Sequence, residues 1–148
     1  MKTKYLLAVF VLAFMLKTEV SAAEYGLPHI SPEDDFLATV EIMAKCVEAE
    51  AGNQGMEGKR LVAGVIISRT KDHDFPDTIL EVIADPGQFS VYENGMLEDA
   101  EPTEETWRAV LMEIKEISYP SLLYFSAEGH LPYGTPWKKV GDHYFNKG

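Results

Sequence analysis

One carboxylate in this sequence sits where an apolar side chain is expected. Phe36, Val40, Met43 and Val47 recur at spacings of four, three and four, the repeat of a single helix face. Three residues further the same face reaches Glu50, flanked by Ala49 and Ala51, and the run Gly52-Asn53-Gln54-Gly55 then ends the helix. A carboxyl group held among apolar neighbours has a raised pKa, because burial disfavours its charged form. Such a group stays protonated near neutral pH and can act as a general acid. Cleavage of a glycosidic bond needs that chemistry, a proton delivered to the leaving oxygen as oxocarbenium character builds. The competing reading is a helix-end Glu that points into solvent, and periodicity alone does not decide between them. Two further carboxylates are candidate partners. Glu57 lies seven residues on, where an acid also suits a helix N-terminus, and Asp142 lies beside His143.

Other chemistries find less support. His130, Asp142 and His143 cluster late in the chain, and His73 lies between Asp72 and Asp74. No H-E-x-x-H or other spaced ligand set is present; His29, His73 and His130 read as surface or loop residues, and no metal or cofactor is expected. No G-x-S-x-G supports a serine nucleophile. The single cysteine, Cys46, allows neither an intramolecular disulfide nor a Cys-based zinc site; it reads as a small buried hydrophobe. Phe89, Tyr92, Tyr124, Tyr133, Trp137, Tyr144 and Phe145 offer flat apolar faces that would suit either sugar rings or a core.

The elements that must position these residues come from the same pattern. The chain has 148 residues, 46% hydrophobic and 25% charged, an ordinary balance for one globular domain. Its net charge of −11 argues against a nucleic-acid partner held through phosphates. Residues 1–22 read as a signal peptide. Lys2 and Lys4 precede an apolar run of 12 residues, Tyr5 to Leu16, and a small-residue site follows at Val20-Ser21-Ala22-Ala23, the pattern of a cleaved secretory leader. An uncleaved anchor is the competing reading. Removal of the leader leaves residues 23–148 as a single domain with 10 basic and 23 acidic side chains, a net −13. The expected location is extracytoplasmic, at the cell wall, with membrane contact only through the leader.

Ser31-Pro32-Glu33-Asp34 predicts the start of the first helix, with Ser as N-cap and Pro at the first helical position. A second helix is expected over about Met56 to Arg69, apolar almost all round and therefore buried, with Ala63 and Gly64 allowing close approach of a neighbour. Asp77 is read as the cap of a short helix carrying Ile79, Val82 and Ile83, stopped at Asp85-Pro86-Gly87. Glu93-Asn94-Gly95 reads as a turn and residues 97–105 as a solvated acidic stretch. A third long helix starts near Pro102–Glu104, with Trp107, Val110, Leu111, Ile114 and Ile117 as its stripe. Leu122-Leu123-Tyr124-Phe125 reads as a strand, and the aromatic tail from Tyr133 to Phe145 as short strands and loops.

Taken in order, five blocks resemble the SleB-type cell wall hydrolases, the catalytic-domain family of a spore cortex-lytic enzyme. They are Glu50 through Arg69, Phe75-Pro76-Asp77-Thr78-Ile79, Gln88-Phe89-Ser90, Leu123-Tyr124-Phe125, and Gly141-Asp142-His143-Tyr144-Phe145. The likeness spans about residues 40–146. It implies an α+β fold: a compact, mainly helical, lysozyme-like or lytic-transglycosylase-like domain with short C-terminal strands. It implies an enzyme that cleaves peptidoglycan glycan strands, acting as a monomer. The family's catalytic acid, the Glu that opens the first block, falls on Glu50. One Glu suffices in the transglycosylase reaction: it protonates the leaving oxygen, then as carboxylate assists the muramyl C6 hydroxyl in attacking C1. Gln54, Glu57, Gln88, Phe89, Ser90, Tyr124, Trp137, His143 and Tyr144 are the expected substrate contacts. Gly52 and Gln54 stand where the family pattern often carries Arg and Glu, and Ser68 where it often carries Asn. These departures motivate the alternative of a catalytically inactive peptidoglycan-binding module. A true hydrolase, with Glu57 or Asp142 positioning water, is the runner-up within enzymes. The acidic domain gains no long-range attraction to an anionic wall, so local contacts must supply affinity.

Overall fold

The computed structural model describes residues 36–148. The leader, His29 and the Ser31-Pro32 helix start lie outside the described residues. Among the described residues, six helices come first: α1 Phe36–Ala51, α2 Met56–Arg69, α3 Ile79–Ala84, α4 Ser90–Glu93, α5 Met96–Asp99 and α6 Glu104–Lys115. Three strands follow, β1 Leu122–Ser126, β2 Thr135–Val140 and β3 His143–Lys147. They form one antiparallel sheet in the order β1-β3-β2. This is the compact α+β arrangement expected from the sequence. No helix among the described residues is long and apolar enough to cross a membrane.

Helix α2 is the centre of the molecule. Every residue from Leu61 to Arg69 is buried, and α1, α3, α6 and β1 all pack against it. Its small residues matter at one point. A Cβ on Gly64 would stand 3.2 Å from the Tyr119 ring, so the ring lies directly on the helix. Helix α1 buries Val40, Met43, Ala44, Cys46 and Val47, with Phe36 packed at the margin. Each large apolar side chain so buried contributes about 1.5–3 kcal/mol.

Polar contacts fix the helices relative to one another. On α1, the Glu48 carboxylate accepts the Thr103 N–H at 3.0 Å and the Thr106 hydroxyl, which satisfies free donors at the start of α6. Burial opposes the Glu48 charge, but the bonds from Thr106 and Thr103, with Lys59, hold its carboxyl below the usual range. Arg60 of α2 pairs with fully buried Glu113 of α6 at 2.6 Å.

Three local readings are corrected. Thr78, rather than Asp77, caps α3, because its hydroxyl accepts the Glu81 N–H at 3.2 Å. The 97–105 stretch is not wholly solvated: it contains part of α5, and Leu97 packs against the core. Helix α6 ends at Lys115, before Ile117, which reaches the core from the following connection.

Candidate active site

Glu50 lies in the last turn of α1 and is half-buried. Burial pushes its pKa up, and the nearby backbone N–H of Val91 opposes that rise. The rise prevails. Val91 is the second residue of α4, so its N–H has no partner within its own helix. One turn before Glu50 on the same face is Cys46, fully buried. Burial, then the Glu50 charge, push the Cys46 thiol well above its ordinary range. Cys46 is therefore a neutral apolar wall.

Val91 is held by what precedes it. Gln88 and Ser90 are exposed, whereas Phe89 is 1% exposed. The Phe89 ring lies 6.1 Å from Phe125 and beneath the Arg69 guanidinium, whose carbon is 5.2 Å from the ring centroid. Its expected substrate contact gives way to packing, since the ring presents no surface. Arg69 also stacks on Phe75 at 4.8 Å and donates from Nε to the Leu123 carbonyl at 2.8 Å. Burial draws Arg69 down to about 10, with Tyr124 and Asp85 acting in the opposite sense, so it stays cationic at neutral pH. It joins the end of α2, the Q-F-S segment and β1.

The first and last sequence blocks meet at Gln54. Its Nε2 donates to Asp142 Oδ2 at 2.9 Å and to Asn53 Oδ1 at 2.8 Å, and its Oε1 accepts the Asp142 N–H at 3.0 Å. Gln54 is 7% exposed, and both its amide hydrogens are taken. Glu57 is exposed in the first turn of α2, where it pairs with Lys138 of β2. Of the two carboxylates named as partners for Glu50, Asp142 accepts from Gln54 through Oδ2 and Glu57 pairs with Lys138 at the surface.

The aromatic candidates divide between the two faces of the sheet, as alternate strand residues must. His143 and Phe145 face the core with Phe125. His143 is 6% exposed, and its burial keeps its pKa low despite Asp142; a buried ring of this kind supports the site rather than touching substrate. Tyr124 and Tyr144 lie on the opposite face and are half-buried. Tyr124 meets Tyr133 edge-on at 5.0 Å, and Tyr144 meets His130 at 5.3 Å. His130 and His143 therefore do not converge. Trp137 is 37% exposed, with Tyr119 5.9 Å away and the Lys147 ammonium 4.8 Å over its ring. Asp72, His73 and Asp74 do place ligand atoms within 4.8 Å of one another, on the exposed α2–α3 connection.

Sequence reasoning missed the Val91 N–H, which is a backbone atom and carries no residue signature. It also missed Arg69 as the link between segments, although a basic residue ending an otherwise apolar buried helix was the available signal.

Comparison with known proteins shows the family and the fold. The sequence profile of the family described as Cell Wall Hydrolase matches residues 53–146, a stretch that begins just after Glu50. A spore cortex-lytic enzyme of Oceanobacillus iheyensis is 32% identical over 130 residues, covering 82% of this chain and 46% of the relative. That of Bacillus subtilis is 29% identical over 115 residues, covering 72% of this chain and 36% of the relative. The chain thus spans less than half the length of these curated relatives. Among solved structures, the catalytic domain of the germination-specific lytic transglycosylase SleB from Bacillus anthracis superposes with a TM-score of 0.66 at 27% identity, covering 79% of this chain and all of that domain. The catalytic domain of the Bacillus cereus SleB protein gives 0.67 at 28% identity, covering 78% and 94%.

Proposed function

The chain belongs to the cell wall hydrolase family, and from that premise we propose that it cleaves the glycan strands of peptidoglycan with Glu50 as its single catalytic acid. The observation that carries this reading is the half-buried Glu50 carboxyl in the last turn of α1, its pKa raised by burial. Protonated, Glu50 donates to the glycosidic oxygen as the bond to C1 breaks and positive charge grows on the sugar ring. The resulting carboxylate then accepts the proton of the C6 hydroxyl as that oxygen bonds to C1. The leaving strand keeps the first proton, the product carries a 1,6-anhydro ring, and Glu50 regains its proton. Water is not consumed, so no second carboxylate is required. We take this lytic transglycosylase course in preference to hydrolysis, with Glu57 and Asp142 in contact with Lys138 and Gln54. The activity named for the similar Bacillus anthracis domain points the same way.

Exposed Gln88 and Ser90, and half-buried Tyr124 and Tyr144, are the side chains we assign to substrate. We further propose that residues 1–22 direct export, so that the domain works outside the cytoplasm. The test is the muropeptide profile of purified sacculi digested by the parent and by Glu50→Gln. Anhydro-muropeptides from the parent alone are expected. Reducing ends would replace transglycosylation by hydrolysis. An active Glu50→Gln protein would refute the role of Glu50, and sacculus binding without products from the parent would establish a binding module instead.

A further inference from the structure

We infer that Gln54 is a positioning residue for Glu50, acting through a two-point clasp on Asp142. The inference rests on the catalytic role proposed for Glu50. Gln54 follows the end of α1 by three residues, and its own N–H closes the turn on the Ala51 carbonyl at 2.9 Å. Its side chain then reaches the turn between β2 and β3. Nε2 donates to Asp142 Oδ2 at 2.9 Å while Oε1 accepts the Asp142 N–H at 3.0 Å. A second donor, Asn53 Nδ2, approaches the same Asp142 oxygen at 3.4 Å.

Two glycines clear the space for this side chain. A Cβ on Gly58 of α2 would lie 2.8 Å from Gln54 Cβ. A Cβ on Gly141 would collide with Gln54 Oε1, and Gly141 has a φ of +55°, a conformation that other residues adopt at a cost. Gly141 also serves the two-residue turn between β2 and β3, where its positive φ is the usual hairpin conformation. Together the two glycines form a slot for one amide.

Opposite an ionised Asp142, the slot suits an amide better than an acid. At neutral pH a Glu at position 54 offers only acceptors, and it would face the Asp142 carboxylate at hydrogen-bonding distance. Glu50 sits four residues before this clasp, with the Val91 N–H of α4 near its carboxyl, and the clasp holds its turn to the sheet. If the clasp opens, the turn shifts while Val91 stays, and the acid loses its alignment. A misplacement of ~1 Å in a reacting group can lower turnover about a hundredfold.

The experiment compares the parent, Gln54→Glu, and Gln54→Glu with Asp142→Asn. Turnover is measured on soluble glycan-strand fragments, well below each protein's Tm, and the Val91 amide is followed by NMR through a pH titration. In the parent that amide is expected to report the ionisation of nearby Glu50. Gln54→Glu is expected to lower kcat about tenfold or more with little change in KM, and to displace the Val91 titration. Adding Asp142→Asn restores both, because the side-chain amide it introduces can donate to the new carboxylate alongside the backbone N–H of the same position. Parent-like kcat in the single variant, a rise in KM alone, or no recovery in the double variant would overturn the inference. A KM effect would mean that Gln54 touches the sugar. If the parent itself cleaves nothing, the reading of Glu50 as acid falls, and the Val91 titration still decides whether the clasp holds the helix end.

Discussion

Arg60 and Glu113 make a stability test whose outcome is asymmetric. Glu113 is fully buried on α6; one of its oxygens receives Arg60 Nε and Nη2 at 2.6 Å, and the other the Ser118 N–H at 3.2 Å. The Arg60 side chain is 23% exposed, so water reaches it. Arg60→Met strands a carboxylate in the interior, a change that costs about 3–5 kcal/mol. Glu113→Gln leaves a guanidinium with access to water and an amide oxygen that still accepts from it, so the cost is about 1–2 kcal/mol. For a domain of this size each kcal/mol moves Tm by roughly 4 °C, so Arg60→Met is expected to melt about 12–20 °C below the parent. Replacing both residues by Met recovers most of that loss. The pH dependence has a definite sign. Burial raises the Glu113 pKa, with the hydrogen bonds from Arg60 and Ser118 opposing, and removing Arg60 raises it further. A folded-state carboxyl with a raised pKa loses stability as pH climbs above the unfolded value. The Arg60→Met deficit should therefore shrink as pH falls and Glu113 takes up its proton. The assay is thermal and urea unfolding of the parent and three variants at neutral and acidic pH. An Arg60→Met protein within about 1 kcal/mol of the parent, or a deficit that grows in acid, would refute the reasoning.

Other outcomes follow from single contacts. Glu50→Gln should be more stable than the parent at neutral pH, with the gain vanishing below the unfolded carboxyl pKa, because burial raises the Glu50 pKa and ionisation opposes folding; paired urea titrations across pH check the sign. Gly141→Ala should cost clearly more than Gly95→Ala. Both glycines have positive φ, but only Gly141 has an atom in the way; the left-handed conformation alone costs about 1–2 kcal/mol, and denaturant midpoints give the difference. Lys138→Met should change stability by less than about 1 kcal/mol, since its ion pair with Glu57 is exposed; a double-mutant cycle with Glu57→Gln measures the coupling.

The parts of this fold that were legible in the sequence are those set by near neighbours. The α1 stripe led to Glu50, and the all-round apolar character of α2 announced its burial. The parts that escaped depend on residues far apart in the chain. Gln54 looks like a free polar residue in a Gly-rich turn until Asp142 is placed against it, 88 residues later. Phe89 resembles a sugar platform until Arg69 and Phe125 cover it. Glu113 lies off the apolar stripe of α6, and the reach of Arg60 together with the Ser118 N–H makes its burial tolerable. The two single-turn helices α4 and α5 carry too few residues for periodicity to register, yet α4 brings the Val91 N–H near the proposed acid.

The strand order carries a consequence for synthesis. Strand β3 occupies the middle of the sheet and pairs with both neighbours, yet it follows them in the chain. A polypeptide emerging from its N-terminus presents Glu50, then two outer strands with nothing between them, before residues 143–147 arrive. Asp142, which meets Gln54, emerges immediately ahead of that central strand. The sheet is thus completed only when nearly the whole described segment has been delivered, and a nascent chain stalled before His143 leaves two strands without their shared partner, open to association with other chains.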